Sequence, residues 1–418
     1  MTDLTLPILA EAVEGRLAAF RVRSRLQPVG GPGDKIFPTT YAPPAGAKTR
    51  YATERRRVNG EVVETVLLDS VASQANRMEL ALLQAYERGL IQLPMIAVDF
   101  SAYDDLVDLG RITTLEAPHR IADAIFRDSG LDGTAFRMSD IGRAVTDANS
   151  RAATPILKWC PTALVFGLWD STGPKGGLGA KYQRAISSEI VGVGAESGVK
   201  TASRIDPLAI ERKATIFEDA SNEGEWTPDP DRAKKEKKGQ PASFGDGRPS
   251  TVNHGNIAPS IDGEAGGVTI DYALQTVVLS LPALRRLGFP TRLDGTTIPR
   301  EDRGAAERAA HTALAALGLS AIVFARTAGY DLRSRCALVP EGPLEIEGVP
   351  ADGGETEEFQ LDTKGASDLL QQAVEAARGH GLGWEAMEVD LTPAQRLLDL
   401  VRKSRALHAE AEPQAEAG

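Results

Sequence analysis

Hydrophobic and polar residues first alternate cleanly between Arg16 and Leu26. Phe20, Val22 and Leu26 fall on one side of a period-two pattern, with Arg21, Arg23 and Arg25 on the other. This predicts a strand with one buried face. Glu61–Asp69 (EVVETVLLD) predicts a second extended segment. From Ser70 to Arg88 the period changes, because Val71, Ala75, Met78, Leu82 and Tyr86 form one helical stripe. Gly89 follows where a helix C-terminus is expected. Ile96–Phe100 predicts a short strand, and Pro118 opens a helix running to Phe126. Thr162–Trp169 (TALVFGLW) reads as a buried strand leading into a glycine-rich loop, residues 173–179. Val268–Leu281 reads as a strand, Ala305–Leu317 as an Ala-rich helix and Ser320–Arg326 (SAIVFAR) as another strand. Two helices follow, Ala366–Arg378 and Pro393–Leu407.

Elsewhere the pattern fails. Residues 28–46 are rich in Pro and Gly and predict a long loop. Residues 218–267, with the run WTPDPDRAKKEKKGQ, hold too few aliphatic side chains to bury much surface and predict a flexible polar insertion. The acidic tail 409–418 is expected to be disordered. The chain therefore divides into 1–217 and 268–408, parts of one core, separated by the insertion and followed by the tail. Strands interleaved with helices predict an α+β fold with helices mainly on one sheet face. The other face is left for a ligand.

Composition narrows the function classes. No apolar run approaches the roughly 20 residues a bilayer span requires, so no membrane partner is expected. The N-terminus lacks the basic start and apolar stretch of a secretory signal, so the expected location is cytoplasmic. Two cysteines, Cys160 and Cys336, make neither a disulfide framework nor a zinc site. The net charge of −11 argues against an evenly basic coat. Yet residues 1–214 hold 26 Lys/Arg against 25 Asp/Glu, while residues 215–418 hold 21 against 33. A basic surface in the first half is therefore compatible with an acidic chain.

The strand bearing Arg21, Arg23 and Arg25 is the first candidate for chemistry. Three like charges on one face repel unless an anion or an acidic neighbour compensates. Phosphate is such an anion; a solvated strand face paired with acidic residues of its neighbour is the alternative. The glycine loop fits neither nucleotide fingerprint: Leu178 stands where a P-loop needs its second glycine, and Tyr182 where the dinucleotide motif needs its third. It remains a loop whose Lys175, Lys181 and Arg184 suit phosphate contact, or whose glycines merely permit turns. Gln74, Asn76 and Arg77 sit opposite the apolar stripe of their helix, and His119-Arg120 stand at a helix start. The five histidines show no metal spacing, no cofactor motif is present, and no catalytic constellation can be assembled from spacing.

LLDSVASQANRMELAL (Leu67–Leu82), APHRIADAIFRDS (Ala117–Ser129) and PTALVFGLWDSTGPKGGLGAKYQRAISSEIVGVGA (Pro161–Ala195) resemble signature segments of one family. It is the backbone subunit of the type I-G (formerly I-U) CRISPR Cascade complex, a RAMP-superfamily group also called the Csb-one or GSU-type family. The resemblance spans about Leu17 to Val339. It implies an RRM-like, ferredoxin-type core with large insertions and a hand-like shape. It implies copies stacked head to tail along the CRISPR RNA spacer, with other Cascade subunits, presenting the guide to target DNA. Cutting is left to a recruited helicase–nuclease, so no catalytic residue is expected. A thumb-like hairpin is implied, with residues 218–267 or the loop carrying Arg55-Arg56-Arg57 as its source. The expected RNA contacts are Arg21, Arg23, Arg25, Gln74, Asn76, Arg77, His119, Arg120, Lys175, Lys181 and Arg184. The sparse aromatics favour gripping backbone over stacking bases. The opposing class is a RAMP ribonuclease with His119 as acid or base, or a subunit that cuts paired target through an exposed Asp.

Overall fold

The computed structural model describes residues 2–170, 172 and 181–415, with side chains described as far as residue 408. It is an α+β protein whose contacts cluster into two units.

The larger unit, residues 1–41, 51–196 and 268–397, is built on a ten-stranded sheet. In chain order its main elements are β1 (Leu17–Pro28), β2 (Thr53–Val58), β3 (Glu61–Asp69), helix α1 (Val71–Glu87) and β4 (Ile186–Val193). They continue with β5 (Tyr272–Ser280), helix α2 (Arg300–Ala328), β6 (Cys336–Pro340), β7 (Ile346–Pro350), β8 (Glu357–Gln360) and helix α3 (Thr363–Gly379). Across the sheet the order is β8-β7-β1-β5-β4-β3-β2, all antiparallel. Thr2–Asp3 adds to β8 in parallel, and β6 pairs with the end of β1. Taken alone, β1, α1, β4, β5, α2 and β7 form a strand–helix–strand–strand–helix–strand series. Its strands lie side by side in the order fourth, first, third, second.

The alternation in β1 fixes which face the helices cover. Phe20, Val22 and Leu26 are buried beside Ala273, Val277 and Leu279 of β5. Helix α2 presses onto this face so closely that a Cβ on Gly318 would lie 2.9 Å from Leu279 Cδ1. Helix α1 is started by Ser70, whose side chain accepts from Ser73 N, and is followed by Gly89 at φ +71°. Buried polar groups tie α1 to the sheet. Gln74 Nε2 donates to Asp69 Oδ2 (2.6 Å), and Gln74 Oε1 accepts from Ser188 Oγ (2.8 Å) and Gln275 Nε2 (2.9 Å). Tyr330 OH donates to Gln275 Oε1 at 2.8 Å. These bonds pin register as well as position, while the other carboxylate oxygen of Asp69, Oδ1, has no hydrogen bond among the described residues.

Two sequence expectations are corrected by helices. Thr162–Trp169 is a helix, Pro161–Phe166, followed by a two-residue strand. Ser320–Arg326 is the last part of α2, a 29-residue helix with a continuous buried run from Ala310 to Phe324. Joined, that helix is long and apolar enough by composition to cross a bilayer, against the expectation of no such run. However, 83% of its apolar window is buried inside the protein, as for a core helix. Its His311 is buried with Nε2 2.8 Å from Leu287 O. Burial holds its pKa below the ordinary value, so the neutral ring donates to that carbonyl. The helix expected from Pro118 is a short 3-10 turn, Arg120–Ala122, followed by Ala124–Arg127.

The second unit comprises residues 42–50, 197–267 and 398–418. The segment read as a flexible insertion carries ordered local structure here, and the unit begins upstream at Ser197. Strand Lys200–Arg204 pairs with Ile257–Asp262, and Phe217–Glu218 with Trp226–Thr227. Side-chain-to-backbone bonds do much of what a core does elsewhere. Arg204 holds the carbonyls of His254 and Gly255, Asp206 accepts from Leu208 N, and buried Asp219 accepts from Ser221 N and Arg232. Of the tail expected to be disordered, residues 409–415 continue the helix Gln395–Ala415, and 416–418 lie outside the described residues.

Candidate nucleic-acid interface

Two cationic regions stand in the larger unit. The first is the sheet face opposite α1 and α2, where β1 displays Arg21, Arg23 and Arg25 beside Val278, Thr276 and Leu274 of β5. Arg21 pairs with Glu347 of β7, and Arg25 with Glu341 at 3.0 Å while stacking 3.8 Å over the Tyr272 ring. Arg56 of β2 reaches past β3 to Glu189 of β4. The central Arg23 is exposed and has no partner among the described residues. The face is thus largely neutralised by its own glutamates. Such half-exposed pairs are worth about 0–1 kcal/mol each, which a phosphate can match and displace.

The second region is a groove of about 370 Å³ lined by Asn76, His119, Trp169, Lys181, Tyr182 and Arg184, with Arg120 in its wall. The turn at Gly167 builds it. Gly167 adopts φ +89°, and a Cβ there would meet the Arg184 backbone at 3.2 Å, so glycine is required on both counts. That turn presents two successive carbonyls: Phe166 O accepts from Arg184 Nε at 3.2 Å, and Gly167 O from Arg120 Nη1 at 2.9 Å. Arg120 is buried and grips Glu79 with two bonds of 2.6 Å. Burial pushes the Glu79 carboxyl up, and Arg120 opposes this. Burial, and then neighbouring Arg120, pull Arg184 below the usual arginine value. Glu79 is bonded to Arg120, whereas Arg184 donates to the carbonyls of Phe166 and Val71, and no carboxylate lines the groove among the described residues. Lys181 adds a third cation, directly opposite Trp169 on the paired strands Leu168–Trp169 and Lys181–Tyr182, 5.9 Å over the indole.

The residues expected to bind RNA thus separate. Asn76, His119, Arg120, Lys181 and Arg184 come together at the groove from three stretches of chain. Gln74 does not reach solvent: it is 3% exposed and spent on the internal network. Arg77 is likewise committed, through Nε to Asp69 (3.0 Å) and through its terminal nitrogens to the carbonyls of Asp331 and Leu332. Arg120 belongs to the wall's buried ion pair. A helical-face argument misplaces Gln74 and Arg77 because strands on both sides of α1's polar edge offer acceptors. Lys175 lies outside the described residues. Sequence reasoning missed Trp169; the exposed indole beside a lysine was hidden by its assignment to a buried strand. Among the described residues no group of His, Cys, Asp and Glu is arranged to hold a metal ion.

No curated protein matches the chain. The family model described as CRISPR-associated protein GSU0053 matches residues 20–197, the stretch that contains β1, α1, the Gly167 turn, both groove strands and β4. Over those residues the chain is similar to the GSU0053 family of CRISPR-associated proteins.

Proposed function

We propose that the chain is the non-catalytic backbone subunit of a type I-G Cascade complex, binding CRISPR RNA by its sugar–phosphate rail. The carrying observation is the groove: cations in excess, lined by no described carboxylate, and within the family's matched segment. Guide-directed recognition delegates sequence to base pairing, so the protein needs backbone contacts rather than base readout. The strand order fourth-first-third-second, with both helices on one face, supports reading the core as ferredoxin-type and RRM-like, and the open face as a further RNA surface. Copies associate head to tail along the guide in the cytoplasm, because a heterologous contact that does not close builds a filament. Target DNA is met through the guide, and cutting falls to a recruited helicase–nuclease. For the thumb, the ribbon of Lys200–Arg204 with Ile257–Asp262 and the hairpin β2–β3 are the two candidates.

Co-expression with a CRISPR array tests this. RNA of spacer-containing length is expected to co-purify, to remain uncut, and to leave with rising salt in proportion to the phosphates contacted. Protein recovered bare overturns the binding role. Cleavage of the RNA that His119→Ala abolishes overturns the non-catalytic one.

A further inference from the structure

Trp169 does not fit a surface that touches phosphates alone. Of the four tryptophans, Trp384 is 1% exposed and Trp226 37%, whereas Trp169 is 57% exposed at the groove. Lys181 stands opposite it, and Tyr182, on the buried side of the same ribbon, is 3% exposed with a hydroxyl lacking any partner among the described residues. An exposed indole is a broad π-face, and a buried hydroxyl normally finds a partner.

We infer that this groove is a subsite for one unpaired nucleotide of a single-stranded polynucleotide. Its base stacks on the Trp169 indole, and its phosphate is held by Lys181 and Arg184. This rests on the RNA-binding reading and goes beyond it, since only an unpaired base offers its face to a side chain. Backbone gripping and base stacking therefore meet in one place. Asn76 and His119 complete the polar rim around the stacked base.

The experiment compares labelled oligouridine with an abasic ribose-phosphate oligomer of equal length, by fluorescence anisotropy on the full chain. Wild type is expected to prefer oligouridine about tenfold, the scale of one base–aromatic stack. Trp169→Ala is expected to bind both oligomers alike, at the wild-type level for the abasic one, while Trp169→Phe keeps most of the preference. Lys181→Gln is expected to weaken both equally and leave the ratio intact. Unchanged melting of Trp169→Ala shows that the fold survives. A Trp169→Ala protein that keeps the wild-type preference overturns the subsite while leaving RNA binding standing. A wild type that binds neither oligomer overturns both. A deoxythymidine arm identifies the strand: preference for the ribose chain assigns the guide, preference for the deoxyribose chain a DNA strand.

Discussion

The arginine face of β1 and the groove beside Gly167 are both cationic in sequence, and they differ in where their counter-charges sit. On the face, Arg21 and Arg25 each find a glutamate from the chain's C-terminal part, so three arginines leave one cation free. In the groove, the buried Glu79 is taken up by Arg120, Arg184 has only backbone carbonyls, and Lys181 has only an indole among the described residues. Counting basic residues along a sequence measures neither; free charge is set by what the fold places opposite.

The largest effect is expected beneath the groove. Arg120→Ala leaves Glu79 buried and unpaired, at a cost of about 3–5 kcal/mol, seen as a lower denaturation midpoint. Glu347→Gln on the half-exposed face is expected to cost under about 1 kcal/mol by the same assay; equal losses would erase the distinction. Next in size, Lys181→Glu is expected to weaken guide RNA binding about tenfold and to flatten the salt dependence by about one phosphate contact. The triple change of Arg21, Arg23 and Arg25 to Glu acts through one free cation and two displaceable pairs. It is expected to lower RNA retention during purification, and unchanged retention removes the face from the interface. Smaller still, Glu341→Gln with Glu347→Gln unmasks Arg25 and Arg21 and is expected to raise RNA affinity a few-fold, with a steeper salt slope. No change would show that those pairs do not compete with phosphate.

The smallest effect lies in neither region. His311 has a folded pKa below its unfolded value of about 6.5, so the unfolded chain binds more protons below that pH. Its stabilisation is complete above about pH 6.5 and is lost as pH falls toward the depressed folded value. His311→Gln is expected to remove this slope, measured by denaturation from pH 7.5 to 5, and with it a background that any pH dependence of RNA binding must be corrected for.

Local pattern was enough where one face of an element meets the core and the other meets water. β1, β3 and α1 emerge almost residue for residue, because alternation and a capped amphipathic stripe are written in adjacent positions. It failed in the last part of α2, at Ser320–Arg326, and at Pro161–Phe166, where Ser320–Phe324 and Pro161–Phe166 are buried all round and so carry no polar period to tell helix from strand. Among the binding candidates, residue type alone named Lys181, which lines the groove without a polar partner among the described residues. It equally chose Gln74, Arg77, Arg120 and Arg184, whose donors the structure spends wholly or partly on internal acceptors.

The chain by itself determined an α+β protein, the arginine-bearing strand, the motif-bearing helix and the segments that resemble one family, since each is carried by residues close together. Only the tertiary structure decided which cations are free, that Trp169 stands exposed beside Lys181, and that His119, Asn76 and Arg184 share one groove. Those facts depend on pairings between residues tens to hundreds of positions apart, and electrostatic compensation acts through space within a few ångströms rather than along the chain.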